Sequence, residues 1–441
     1  MPSHGPGEES TATTAMACGI NVDAASALPN AHETGWMKRA SAWIYAAVLA
    51  VTTGPVLAGS DSAALKSLVD GAKTSHSDTL LVIHDDKVLV DYRRPGAPYR
   101  PIEMMSSTKS LVGLAVGRLI TQGKLRSVDE PVSDFYPEWK QGNKAKITLR
   151  MLLNHTSGLQ NEALTSAEIY PAPDGFQLAL AAELSDPPGT RFRYNNKAMN
   201  LLAGVIEKAA GEPMDTYIAK ELLAPMGIQL PPWDDRDQAG HPRAMSGWMA
   251  TSEDAAKVGK LVLDQGRWQG KQLIDAGYMA LMIGQSTPLT QHYGLLWWRQ
   301  AEGVYLKASA IDHLRAAGVD GSIVDKLSKV SPKRYANLDE FFNGLPALGI
   351  DPKLFIADVK AHHMGDNDLF EPSPIVAWEA NGYLGNYVVI VPKAHLIAVR
   401  QIAVEEEPEA GQPWPYNYDD FTRRVIKLGQ SYNSDLAVDK P

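Results

Sequence analysis

A serine and a lysine three positions apart, Ser106 and Lys109, stand in the run Met104-Met105-Ser106-Ser107-Thr108-Lys109-Ser110. At a helix start this spacing puts both side chains on one face. The helix N-terminus also aims the Ser106 amide at an incoming oxyanion. The pair has the makings of nucleophilic acyl transfer, with the serine attacking and the lysine taking its proton. A lysine serves as base only if it is neutral part of the time. Burial beside an apolar helix, or a second cation nearby, moves its pKa that way. A lone Ser-x-x-Lys is weak, since chance supplies about one in a chain this long. Here it occurs once, so the nucleophile is unambiguous if the motif is real; the plain alternative is an ordinary capped helix.

Two further runs keep it company. Ile147-Thr148 leads through Leu152-Leu153-Asn154-His155-Thr156-Ser157-Gly158-Leu159, and Pro188-Gly189 leads to Tyr194-Asn195-Asn196, 88 residues after Ser106. Together the three runs resemble the serine β-lactamase-related, penicillin-recognising hydrolases: a first motif Ser-x-x-Lys, the turn written LLxHTSGL, and a second motif Tyr-x-Asn. The likeness covers roughly residues 75–300 and 375–400. It implies that Tyr194 supports proton transfer between Ser106, Lys109 and the leaving group. It also implies that Asn196 hydrogen-bonds the substrate or Lys109. A capping turn with a packed tyrosine is the alternative for Tyr194-Asn195-Asn196. His155 is read as a structural histidine of the turn.

The third motif departs from the pattern. Where the resemblance implies Lys-Thr-Gly or a His variant, this chain has Ala380-Asn381-Gly382, followed by Tyr383-Leu384-Gly385-Asn386-Tyr387. The cation that would meet a substrate carboxylate is missing. This form is closer to the family's esterases and 6-aminohexanoate-dimer hydrolases. The alignment makes Gly382 and Tyr383 substrate-binding residues, with the Tyr383 amide as second oxyanion donor beside that of Ser106.

Those residues need elements to hold them. Leu80–His84 and Val88–Tyr92 flank Asp85-Asp86-Lys87 and read as a hairpin. Residues 107–121 read as a helix closed by Gly123, with further helices at about 197–210 and 253–265, the last capped by Thr251. Asn381–Val399 reads as a second hairpin around Pro392-Lys393-Ala394. Strands at both ends and helices between give an α+β fold. Its central antiparallel sheet is built from both ends of the chain and flanked by helices, with an all-helical lobe and the site between. Between Trp298 and Ile375 lies an insertion, at about 299–374. It carries Lys307, Lys326, Lys329, Lys333 and Arg334, cations available to replace the missing one. The domain thus runs 59–441.

Composition sets the remaining limits. The chain has 441 residues, 44% hydrophobic and 21% charged, with a formal net charge of −9. That balance gives no attraction to nucleic acid or anionic lipid. The single cysteine, Cys18, excludes an intramolecular disulfide and a cysteine-rich zinc site. Met37-Lys38-Arg39, the short apolar run Trp43–Thr53, and Val56-Leu57-Ala58 follow the order of a secretory signal peptide. The run is too short for a comfortable membrane span. The expectation is export to the periplasm or medium of a bacterium, with translation from Met1 or Met37 and a mature start at Gly59.

The expected activity is therefore hydrolysis of a small ester or amide through an acyl-enzyme on Ser106, without metal or organic cofactor. Three rivals stand beside it: a true β-lactamase or DD-peptidase, a catalytically silent penicillin-binding-like sensor, and a metal-dependent hydrolase using the run His362–Asp368. That last run reads better as a solvated loop. Trp297-Trp298 reads as core. Ester against amide, and the oligomeric state, stay open.

Overall fold

A computed structural model of the chain describes residues 59–161, 165–229, 231–335, 338–362, 364, 366–371, 373–403 and 420–438. The export reading of Met37–Ala58 lies outside the described residues, as do His363 and Gly365 of the 362–368 run.

The frame is a six-stranded sheet of β1 (Thr79–His84), β2 (Lys87–Arg93), β3 (Trp298–Ala301), β4 (Ile375–Gly382), β5 (Asn386–Val391) and β6 (Leu396–Gln401). The spatial order is β2-β1-β6-β5-β4-β3, every neighbouring pair antiparallel. Both ends of the chain meet at its centre, where Leu81 faces Val399 and Val82 faces Ala398. The expected α+β sheet is present, and its two hairpins turn where the sequence places them. Asp85 and Asp86 take positive φ in the first, as aspartates in tight hairpin turns do.

Alternation along the strands divides the apolar residues between two cores. Leu81, Val388, Ile390, Ile397 and Val399 face the larger core, shared with the helical lobe. Leu80, Val82, Val389, Val391 and Ala398 face a second core. The helices that matter for function are α1 (Gly59–Thr74), α2 (Thr108–Thr121), α3 (Leu149–Leu153), α4 (Gly175–Ala181), α5 (Asn196–Ala210), α6 (Ser252–Leu263) and α7 (Phe421–Tyr432). Leu68 and Ala72 of α1 and Val425 and Leu428 of α7 close the second core. Thr251 caps α6 by accepting from the Asp254 amide at 3.2 Å. No helix among the described residues is long and apolar enough to cross a membrane.

Strand β3 was not anticipated. Its sequence, Trp-Arg-Gln-Ala, has no apolar alternation, and it is a strand because it pairs with β4. Beyond it, Val304–Leu306, Lys333–Tyr335 and Phe370–Glu371 form a separate small sheet. With the helices around them these strands bury their own cluster, which includes Leu314, Phe341, Phe355 and Phe370.

Candidate active site

Helix α2 is the anchor of the site. Eleven of its fourteen residues are buried, so it runs through the large core rather than across the surface. Ser106 sits just ahead of it, in a short 3-10 turn Met105–Ser107, and Met105 takes φ 50°. Four hydrogen bonds hold this turn. Met104 N donates to Trp248 O at 2.8 Å, and Ser107 Oγ to Asn386 O at 2.7 Å. Trp248 N donates to Thr108 Oγ1 at 3.1 Å, and Ser110 Oγ to Leu296 O at 2.6 Å. Ser106 therefore rides on the sheet, the helical lobe and the 245–248 segment at once.

Lys109 lies one helical turn on, 2% exposed. Its Nζ donates to Ser106 Oγ at 2.9 Å and to Met245 O at 3.0 Å. Burial brings its pKa down from 10.5 to about 7, while the nearby Asp235 carboxylate pulls the other way. Near pH 7 a substantial share of the molecules then holds a neutral amine, which a lysine in water almost never does. Met245 acts through its main-chain oxygen, which any residue carries, so no side-chain pattern marks it.

Tyr194 stands across from the lysine, whose Nζ is 5.1 Å from the centre of the phenol ring. The tyrosine shares a hydrogen bond with Ser106, and burial raises its pKa well above 10. It therefore keeps its proton near neutrality. Asn195, not Asn196, does the capping in this motif. Its Oδ1 accepts from Ala198 N at 2.8 Å, and its Nδ2 donates to Leu159 O at 2.8 Å. This ties the second motif to the turn after α3. Asn196 is the first residue of α5, and its Oδ1 is buried with no hydrogen-bond partner. Of the two roles expected for Asn196, the lysine bond is not made; Nζ is taken up by Ser106 and Met245.

Strand β4 delivers the third motif. A Cβ on Gly382 would lie 2.2 Å from Met104 O and 2.9 Å from Asn386 O, so only glycine lets the strand end against the Met105–Ser107 turn. Tyr383 follows at once, 36% exposed. Ala380 is fully buried in the large core, whereas Asn381 donates to the Glu379 carboxylate at 2.6 Å. That carboxylate also accepts from Gln300 and Thr422, each at 2.8 Å, and burial raises its pKa. No cation stands at 380–382. Of the five candidate cations named in the insertion, Lys326 donates to Gly349 O at 2.7 Å, Lys333 lies over the Tyr335 ring, and Arg334 pairs with Glu302 at 2.7 Å.

An aromatic cluster closes the lobe side. Tyr194 stacks on Trp298 (ring centres 6.0 Å, 20°) and tilts on His155 (4.5 Å, 42°), while Tyr293 meets Trp298 edge-on at 4.7 Å. Trp297 is core, as expected. Trp298 is only part-buried and bears on Tyr194, which the sequence reading missed. Near Lys109, Asp235 accepts from Arg243 at 2.9 Å and from Ser246 Oγ. Glu103, two residues before Met105, accepts from Gly247 N at 2.9 Å. Burial, with Asp235 and Asp234 adding to it, pushes its pKa up to about 7.

Among the described residues, Asp174, Asp237 and His241 could gather ligand atoms within 4.8 Å of one another. Their present bonds account for them. Asp174 caps α4 through the Phe176 and Gln177 amides. Asp237 accepts from Gly175 N, His241 N and His241 Nδ1. In the 362–368 run, His362 Nδ1 lies 3.2 Å from the Asp358 carboxylate.

A family model described as Beta-lactamase matches residues 65–420. The chain belongs to that family. Esterase EstB of Burkholderia gladioli is 31% identical over 159 residues, which are 31% of this chain and 40% of EstB. The chain thus spans well under half the length of that relative. A solved structure titled "Putative 6-aminohexanoate-dimer hydrolase from Bacillus anthracis" aligns with 84% of this chain and 82% of its own, at TM-score 0.56 and 17% identity. A D-stereospecific amidohydrolase from Streptomyces sp. aligns with 84% and 98%, at TM-score 0.51 and 16% identity. At such identities the two structures speak for the fold alone, a β-lactamase-like arrangement of sheet and helical lobe.

Proposed function

We propose that this β-lactamase-family protein is a serine hydrolase that cleaves a small ester or amide through an acyl-enzyme on Ser106. The observation that carries the reading is the buried Lys109 amine, 2.9 Å from Ser106 Oγ, with burial bringing its pKa down toward neutrality. Lys109 takes the Ser106 proton as Oγ bonds to the substrate carbonyl carbon. The tetrahedral oxyanion is met by the main-chain amides of Ser106 and Tyr383, each such donor typically worth about 3 kcal/mol. The lysine proton passes to the leaving alcohol or amine with Tyr194 as intermediary, and the C–O or C–N bond breaks. Water then enters, gives a proton back through the same groups, and releases the acid and free Ser106. Asn196 Oδ1, with no partner in the protein, accepts from the substrate. The buried Ala380 leaves no charge at the third motif, which favours uncharged esters and amides over substrates that need a carboxylate clamp. EstB, by its name an esterase, agrees with this choice.

The test is covalent labelling. A fluorophosphonate should modify wild-type protein at Ser106, and Ser106→Ala should lose both labelling and p-nitrophenyl butyrate turnover while its circular dichroism stays unchanged. Full activity in Ser106→Ala would move the site elsewhere. A folded wild type that neither labels nor turns over any ester or amide would make the protein a silent binding module.

A further inference from the structure

His155 takes no part in the proton transfers above, yet its ring lies against Tyr194 and it is 1% exposed. It lies just past the Asn154 cap of α3, at φ 56°. A non-glycine residue is held in that left-handed conformation only when its surroundings fix it. Its own main-chain oxygen accepts from Arg193 N at 2.9 Å. Its Nδ1 accepts from Asn195 N at 3.2 Å, and its Nε2 lies 3.1 Å from the Tyr293 hydroxyl.

These partners assign the tautomer. An amide N–H can only donate, so Nδ1 carries no proton and the neutral ring bears its hydrogen on Nε2, donated to Tyr293. A second proton would set N–H against N–H at Asn195. Burial, and then the charge of Lys109, oppose that proton too, bringing the pKa down to about 3. The titratable groups facing the ring are Lys109, Tyr194 and Tyr293. His155 thus holds the main chain on either side of Tyr194, Arg193 through its own carbonyl and Asn195 through Nδ1, and its ring reaches the Tyr293 hydroxyl while its face meets the phenol that bonds to Ser106.

We infer that His155, locked by Asn195 and Tyr293, is a positioning residue that holds the Tyr194 phenol in register with Ser106 and Lys109. It reaches the reaction only through Tyr194. The inference rests on the Ser106–Lys109–Tyr194 reading, and the experiment separates the two.

Full-length wild type, Tyr293→Phe, His155→Asn and the double variant are compared in three ways: the rate of fluorophosphonate labelling at Ser106, kcat and KM for p-nitrophenyl butyrate, and urea denaturation. If wild type does not label, the acyl-enzyme reading itself fails, and with it this inference. If it labels, Tyr293→Phe keeps the packed ring and removes the oxygen that receives the Nε2 proton. Labelling and kcat should fall about tenfold while KM stays within about twofold. His155→Asn keeps an acceptor for the Asn195 amide but cannot reach Tyr293, so it should fall by a similar factor. The double variant should be no slower than the slower single variant, because both changes break one bond. A purely structural histidine would lower the urea midpoint and leave labelling by folded protein unchanged. Folded Tyr293→Phe labelling within twofold of wild type would overturn the inference, whether or not the His155 variant folds, as would multiplicative losses in the double variant.

Discussion

Lys109→Met separates what the lysine does for chemistry from what it does to the fold. Folding carries its amine from water, where its pKa is 10.5, into a buried place where the value is about 7. The difference, about 3.5 units, amounts to about 5 kcal/mol of disfavoured charge. Below pH 7 both states hold the proton and the whole penalty applies. Between pH 7 and about 10.5 the unfolded chain binds more protons than the folded one, so stability rises with pH as the penalty is relieved. Methionine has similar length and no charge at any pH, and escapes this. Against it, Ser106 Oγ and Met245 O lose their donor at 2.9 and 3.0 Å, costing roughly 1–3 kcal/mol for the buried carbonyl. Lys109→Met should therefore be inactive yet more stable than wild type at pH 7, by roughly 1–3 kcal/mol. Its advantage should shrink by about 2 kcal/mol between pH 7 and pH 9, as wild type sheds its proton. Urea denaturation at the two pH values reads both quantities. A variant no more stable than wild type at pH 7, or an advantage that does not change with pH, would refute the claim that a buried amine with a lowered pKa sits beside Ser106.

In the proposed mechanism the same amine sets the pH dependence of acylation. Labelling of Ser106 should rise with pH through a midpoint near 7, as Lys109 loses its proton, and stopped-flow rates from pH 5 to 9 check it. Gly382→Ala drives a Cβ to 2.2 Å from Met104 O, a main-chain atom. It should destabilise by roughly 1–3 kcal/mol and slow labelling, read by urea midpoint and labelling rate together. With no cation at Ala380, a substrate that relies on a carboxylate clamp loses a charge-assisted bond of roughly 1.5–3 kcal/mol. Then kcat/KM for p-nitrophenyl butyrate should exceed that for benzylpenicillin by about ten- to a hundredfold; the reverse order would show that another residue supplies the charge.

The fold was legible wherever a local pattern coincided with a local bond. Both hairpins, α2 with its stop at Gly123, and the Thr251 cap are each written within a few consecutive residues. Strand β3 was not legible, because Trp-Arg-Gln-Ala becomes a strand only through pairing with residues about 75 positions later. The site divides in the same way. Ser106, Lys109 and Tyr194 are side-chain chemistry at fixed spacing, and the structure brings them together as expected. The Met245 carbonyl is invisible because main-chain atoms leave no trace in residue identity. Asp235 acts on Lys109 through the field of its charge, and fields have no motif. Trp298 looked like core because an aromatic pair ordinarily is, and only the position of Tyr194 turns one of the two into a wall of the site. Asn195 and Asn196 were weighed together, and it is the helix start that divides them into a cap and an open acceptor.

Two physical routes to a neutral lysine were open from the sequence, burial and a neighbouring cation. The structure points to the first. Burial is the cause that lowers Lys109, the one opposing influence is the Asp235 carboxylate, and no cation contributes. This agrees with the departure at the third motif, where Ala380 stands buried in the same core that receives the lysine. Eleven buried residues on α2 and a carbonyl bond from Met245 then suffice to hold an amine poised at neutral pH. An amine whose pKa is lowered by desolvation depends on packing rather than on a partner charge. Changes that let water reach Lys109, at Met245 or the Tyr194 ring, should therefore raise its pKa and slow Ser106 labelling near pH 7.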